Sequence, residues 1–449
     1  VSVELRPLGE LCKTTSGGTP SRSKPHYFEG TIPWVKSGEL PDGIVIENSE
    51  YISDEAISNS SAKLLPAGTL LVALYGATVG KLGILSRPAA TNQAVCAIFP
   101  SEAIDTKFLF WYLLAKRPWL IGQAAGGAQP NISQGVVRSL MVPVMPLGAQ
   151  HEIVAEIEKQ FSRLDEAVAN LQRVKANLKR YKASVLKDAV EGRLVPTEAE
   201  LARREGRTFE TGEQLLQRIL EDRKASSKGK RVSVNLADLE GLAACPDGWI
   251  WTTSDAAIQS IDAGASFKCE ERPPVEGEIG VLKVSALTWG FYDESESKTC
   301  KDADRIEEKF LVRDGDFLFS RANTIELVGA SVIVGKTKKR LMLSDKTLRF
   351  DICQQVLPEW LQICLRCKFG RDEIERLATG NQVSMRNIGQ ERIRQIRIPL
   401  PPLAEQARIV AEVDRHLCIA REVEAEVDAN LQRAQALRQS VLARSFQQQ

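Results

Sequence analysis

The feature that most limits how this chain can fold is an internal repeat. The segment beginning at Pro146 matches the one beginning at Pro402 without a gap, at an offset of 402 minus 146, or 256. There PLGAQHEIVAEI lies against PLAEQARIVAEV, with seven of the twelve positions identical. The same offset places Ser184, Val185 and Leu186 on Ser440, Val441 and Leu442. A match this long indicates duplication, so the two copies should fold alike. Both carry apolar residues at every seventh position: Ile157, Leu164, Leu171, Leu178 and Val185 in the first, Val413, Ala420, Val427, Ala434 and Val441 in the second. A second seam runs through Ile153, Ala167, Val174 and Tyr181, and through Ile409, Val423 and Leu437. This spacing predicts two long antiparallel helices in a coiled coil, each roughly 60 Å long at about 1.5 Å per residue. Asn430 stands where the first copy has Val174. A lone polar seam residue can fix register; a tolerated frayed end is the other reading.

Weaker matches extend the repeat beyond the helices. WVKSGEL (from Trp34) aligns with VLKVSAL (from Val281), which places Lys36 on Lys283; Gly68 aligns with Gly315. VGKLG (from Val79) lies opposite VGASV (from Val328), and GGAQPNISQ (from Gly126) opposite GNQVSMRNIGQ (from Gly380). Short apolar runs punctuated by glycine read as strands and turns, while KFLFWYLLAK and EWLQICLRCK read as helices. The expected class is therefore α+β: two mixed α/β globular lobes separated by the long helices, in an internal pseudo-twofold repeat. The expected segments are a first lobe over 1–145, a central helix over 146–191, a connector over 192–245, a second lobe over 246–401 and a C-terminal helix over 402–449. Gly192 and Pro196 stop the central helix, since glycine suits the residue after a helix and proline cannot continue one.

The balance of 59 Lys and Arg against 58 Asp and Glu excludes a basic tail as the main business, so any nucleic-acid surface must be a local patch. One such excess lies between Lys336 and Arg397, with fourteen basic residues against seven acidic ones. It would supply a salt-dependent attraction to phosphate, leaving base choice to side chains that reach groove edges. The candidate contacts are Lys36, Ser37, Lys283, Arg321, Asn323, Lys346, Arg386 and Arg394, with the amides Gln129, Asn131 and Gln382. Asn and Gln can pair with adenine through two hydrogen bonds, and they are also turn formers. The alignment of Lys36 with Lys283 fits a shared phosphate contact or a shared structural role.

Chemistry of its own is not expected. YGATVGKL has three residues between Gly76 and Gly80 where a phosphate-binding loop needs four. His26, His151 and His416 are far apart, and Cys364 with Cys367 forms a lone pair without second ligands, so neither a metal nor a cofactor is expected in this chain. Nine scattered cysteines and the lack of a long apolar run point to a reducing cytoplasm and no membrane.

The motifs SGGTPSRS (from Ser16), IPWVKSGEL (from Ile32), YGATVGK (from Tyr75), PDGWIW (from Pro246) and the paired PLGAQHEIV and PLAEQARIV helix starts, in this order, resemble the specificity subunit of type I restriction-modification systems. The likeness covers nearly the whole chain. It implies that each lobe is a target recognition domain for one half of a bipartite, asymmetric site on double-stranded DNA. It also implies that the helices set the gap and dock two methyltransferase subunits, to which restriction and translocase subunits are added. S-adenosylmethionine, ATP and Mg would then belong to those partners. The second helix departs from the family pattern in its thinner seam, with Ala420, Asn430 and Ala434. The competing reading is a non-enzymatic coiled-coil adaptor with protein-binding lobes, which shares the heptads but does not predict the basic excess. A free-standing DNA enzyme ranks last, for want of a catalytic cluster.

Overall fold

The computed structural model describes residues 4–125, 130–226, 239, 241–302, 306–382 and 385–447. The chain divides into two compact units, residues 1–173 with 427–449, and residues 174–426. Each unit holds one globular lobe and a stretch of both long helices.

In the first unit, a five-stranded sheet has the order Thr14–Ser16, Val95–Ile98, Leu70–Ala73, Leu82–Leu85, Gly43–Val45. Beside it is a three-stranded sheet in which Ile32–Val35 pairs antiparallel with Glu50–Ile52 and parallel with Ala90–Thr91. The second unit repeats this plan. One four-stranded sheet has the order Ile258–Ala263, Thr347–Ile352, Phe317–Ser320, Ser331–Ile333; in the other, Gly280–Leu282 pairs antiparallel with Ser297–Cys300 and parallel with Leu341–Met342.

The duplication holds down to single backbone bonds. Leu74 N donates to Ala94 O (2.8 Å) while its carbonyl accepts from Ile132 N (2.9 Å). Arg321 makes the same two bonds, to Lys346 O (3.0 Å) and from Ile388 N (2.9 Å). Gly17 and Gly264 also correspond: a Cβ on either would lie 2.1 Å from Asn92 O or 2.2 Å from Ser344 O, a distance that only glycine avoids.

Each lobe is closed by a two-stranded antiparallel ribbon. Its entering strand, Glu4–Pro7 or Ile250–Thr253, pairs with its leaving strand, Met141–Val144 or Arg397–Leu400. The leaving strand then runs through a short Pro-containing link into a long helix, Leu147–Val190 or Leu403–Gln447. A fully buried glutamine in the first turn of each helix fixes the junction. Gln150 accepts from Asp105 N (2.8 Å) and donates to Met145 O (2.8 Å). Gln406 accepts from Leu357 N (2.9 Å) and donates to Pro401 O (3.1 Å). Replacement by alanine strands a buried N–H and carbonyl, so Gln150→Ala and Gln406→Ala should each destabilise the chain by about 1–3 kcal/mol. Denaturant unfolding reads this directly, and an unchanged midpoint for both would show that the junctions do not depend on them.

The long helices run antiparallel. In the first unit, Ile157 and Phe161 of the central helix pack with Val441 and Leu442 near the end of the C-terminal helix. In the second, Val185, Leu186, Ala189 and Val190 share a core with Ile409 and Val413 near its start. Val413, Ala420, Val427, Ala434 and Val441 are all buried, as their spacing predicts. The second seam is mixed: Ile409 is fully buried and Ile153 partly so, whereas Val174, Tyr181, Val423 and Leu437 are between 39% and 47% exposed. Two helices bury the strip between them, and these side chains flank that strip. Asn430 is half-buried and accepts from Arg433 (3.2 Å).

Residues within 192–245 contribute two helices to the second unit, Glu198–Glu205 and Gly212–Ser226. Leu215 and Ile219 enter its core, and Glu198 holds Arg207 and Arg408, each at 2.6 Å. Among the described residues, no helix is long and apolar enough to cross a membrane.

Candidate nucleic-acid interface

Strand alternation builds the site in the second unit. Along Ser297–Cys300, Ser297 and Thr299 are buried while Lys298 and Cys300 face the other way, because successive side chains alternate across a sheet. Lys298 lies directly opposite Val281, and Cys300 opposite Cys269, so these residues share one face. Lys283 continues that face just beyond the end of Gly280–Leu282. An open cleft of about 820 Å³ lies over it, lined by Cys269, Glu271, Lys283 and Lys298, with Asn323 and Lys346 among the remaining residues.

Three of the residues chosen from sequence, Lys283, Asn323 and Lys346, therefore line one cleft. Arg321 adjoins it, its backbone N–H bound to Lys346 O at 3.0 Å. Neither the Lys283, Lys346 nor Arg321 side chain makes a hydrogen bond or ion pair among the described residues. Asn323 accepts from Thr324 N (2.8 Å), and among the described residues its amide N–H pair has one long contact, to Ser320 Oγ (3.4 Å). Such a surface offers mobile cations for phosphate and amide or hydroxyl groups for base edges. Lys298, which bonds Glu271 across the face, went unnoticed in the sequence. Its signal is the alternation in SKTC, which acquires meaning only once its pairing with Val281 is known.

The first unit differs at the same place. Lys36 and Ser37 follow Ile32–Val35 as Lys283 follows Gly280–Leu282. Opposite Trp34, however, sits Glu50, where the second unit has Lys298 opposite Val281. Lys36 Nζ lies 2.8 Å from Glu50 and 3.7 Å from Glu39, and Arg22 lies 2.7 Å from Glu50. The hydrogen bond to Lys36 holds the Glu50 carboxyl below the usual carboxylate range, and the same bond raises Lys36. The duplicated lysine is thus neutralised in one unit and joined by a second lysine in the other. Asn131 is exposed, in a reciprocal backbone bridge with Ala125. Gln129 lies outside the described residues, as does the side chain of Gln382, whose backbone belongs to the strand Thr379–Gln382.

Arg386 and Arg394 depart from the expectation. Arg386 donates to the carbonyls of Gly380 (2.6 Å), Ala378 (3.2 Å) and Glu375 (3.3 Å), tying a hairpin to the preceding helix. Arg394 lies 2.7 Å from Asp255, a carboxylate 1% exposed, and donates to Ile258 O (2.8 Å). Other arginines of the basic stretch are similarly engaged: Arg349 with Asp262 and Asp316, Arg371 over the Trp289 ring, Arg376 and Arg397 with Glu373. The local excess of charge largely stabilises the lobe from within, and Lys346 is its member at the cleft.

Among the described residues, no group of three or more His, Cys, Asp or Glu side chains could hold a metal. Cys367 instead caps the helix Lys368–Leu377, its sulfur accepting from Gly370 N (3.4 Å) and donating to Cys364 O (3.1 Å).

Residues 1–180 match the type I restriction modification DNA specificity domain. The Escherichia coli type I restriction enzyme EcoEI specificity subunit is 29% identical over 58% of this chain, and the EcoR124I/EcoR124II specificity subunit 32% over 37%. These alignments take in 43% and 42% of the relatives' own length, less than half of each. The E. coli K12 EcoKI specificity subunit is 21% identical over 92% of this chain and 82% of its own. A solved chain, described as the structural basis of complex assembly and conformational transition of the type I R-M system, shares the fold. Its TM-score is 0.65 at 18% identity, over 99% of this chain and 97% of that one.

Proposed function

We propose that the chain is a member of the family of type I restriction-modification specificity subunits, whose DNA specificity domain its residues 1–180 match, and that it is the non-catalytic subunit that chooses the DNA target. Each lobe reads one half of a bipartite, asymmetric site on double-stranded DNA. The antiparallel helices set the number of unread base pairs between the halves, in the way that the spacing of paired recognition elements matches the spacing of half-sites. They also dock two methyltransferase subunits, to which restriction and translocase subunits are added. Methyl donor, ATP and Mg act on those partners, in the cytoplasm.

The observation that carries this reading is the duplicated sheet end, Lys36 in one unit and Lys283 in the other, with a cleft in the second where Lys283 and Lys346 have no ion-pair partner among the described residues. Divergence at that point, Glu50 against Lys298, supports two unlike half-sites. The exposed apolar side chains Val174, Tyr181 and Val423 on the long helices of the second unit support docking of protein partners there.

A genome-wide methylation map of the host, with the gene intact and deleted, tests the proposal. Deletion should abolish methylation at one two-part motif with a fixed gap. An unchanged map, with the methyltransferase genes expressed, would favour the adaptor reading.

A further inference from the structure

Cys269 and Cys300 are the one pair of cysteines placed directly opposite each other on neighbouring strands among the described residues. The bond from Lys301 N to Lys268 O (2.8 Å) flanks them, which makes theirs a non-hydrogen-bonded antiparallel pair. In such pairs the Cα atoms approach to about 4.5 Å and the side chains lie closest, within the roughly 4.4–6.8 Å range that a disulfide spans. Both side chains are half-buried, and their strand pair forms the edge of its sheet, where Cys269–Glu270 has a neighbour on one side only. The other cysteines lack this combination. Cys12, Cys96, Cys353, Cys364 and Cys367 are buried, Cys418 stands exposed on the C-terminal helix, and Cys245, though half-buried, lies outside the strands and faces no second cysteine among the described residues.

We propose that Cys269 and Cys300 form a dithiol site that exchanges with low-molecular-weight disulfides, closing to an internal disulfide on the wall of the cleft. In the first step the Cys300 thiolate attacks one sulfur of the small disulfide. A mixed disulfide forms, the small S–S bond breaks, and one small thiolate leaves and takes up the proton that Cys300 lost. In the second step the Cys269 thiolate attacks the Cys300 sulfur and expels the second small thiol, which takes the Cys269 proton. Two protein thiols are oxidised and one small disulfide is reduced to two thiols. Burial, and then the nearby Cys300, push the Cys269 thiol up, which suits it to the intramolecular second step, where proximity compensates for a low thiolate fraction. The inference stands apart from what the cleft binds.

The test is to incubate the reduced full chain with oxidised glutathione, block the remaining thiols, and map peptides without reduction. The expected result is a chain that has lost two hydrogens, with the Cys269 peptide joined to the Cys300 peptide, and full reversal by added thiol. Cys269→Ser should instead trap one glutathionyl group on Cys300. Separate glutathionyl groups on Cys269 and Cys300 in the unaltered chain, or both thiols remaining reduced while Cys418 reacts, would overturn the proposal.

Discussion

Reversing Lys283 and Lys346 together to glutamate should lower affinity for duplex DNA by about one to two orders of magnitude at physiological salt. It should also flatten the dependence of log K on log salt by about two, as expected when two phosphate contacts are lost. Both side chains lie at the cleft without an ion-pair partner among the described residues, so the fold should barely register the change, within about 0.5 kcal/mol. Titration of the full chain with labelled duplex across a salt series separates the two effects. An unaltered slope would remove this cleft from the DNA contact. Arg386 or Arg394 would be a poor probe, since reversing either places a carboxylate among the carbonyl oxygens that the guanidinium now satisfies.

Glu373→Ala should cost about 3–5 kcal/mol of stability, because removing one partner of a buried ion pair leaves the other charge uncompensated. Glu373 is 3% exposed and receives Arg397 through two contacts (2.6 and 2.9 Å) and Arg376 through two more (3.0 and 3.1 Å). It thereby ties the helix Lys368–Leu377 to the strand Arg397–Leu400 that leads into the C-terminal helix. Burial pushes its carboxyl up, but the bonds from Arg397 and Arg376 prevail and hold it at about 2, against 4.5 for the free group. A carboxyl lowered on folding contributes fully above its unfolded value and progressively less as pH falls through its folded one. The difference between the unaltered and substituted chains should thus be constant above pH 4.5 and shrink toward pH 2. Denaturant unfolding at several pH values checks it; a difference independent of pH across that window would show that the ion pair is not its source.

The periodic parts of the molecule were legible because periodicity is local. The repeat from Pro146 and Pro402, and the buried seam from Val413 to Val441, follow from spacing alone. The exposure of Val174, Tyr181, Val423 and Leu437 on the second seam does not, since a heptad states which residues share a stripe and leaves open how wide a strip one partner helix covers. Lys283 and Lys36 stand out in the sequence because they align across the repeat. Lys298 and Glu50 do not, because each acquires its place from a strand pairing distant in sequence. The charge excess between Lys336 and Arg397 does not reveal that Arg386 and Arg394 bond within the lobe. A guanidinium that bridges carbonyl oxygens is indistinguishable in sequence from one that faces solvent. Gln150 and Gln406 could have been singled out, since a polar residue kept in both copies amid apolar neighbours must satisfy its amide somewhere.

The closing ribbons have a consequence for how such a chain can change over generations. Each lobe begins and ends on two strands that are paired with each other, Glu4–Pro7 with Met141–Val144 and Ile250–Thr253 with Arg397–Leu400. A genetic crossover at both ends of a lobe therefore leaves two scars side by side on one ribbon, outside the helical seam. Provided that the incoming segment supplies a backbone N–H for Gln150 or Gln406 to accept, it arrives as a complete cassette. Novelty in what is recognised can then be acquired wholesale, by recombination between relatives, while the helices that unite the two halves are inherited unaltered.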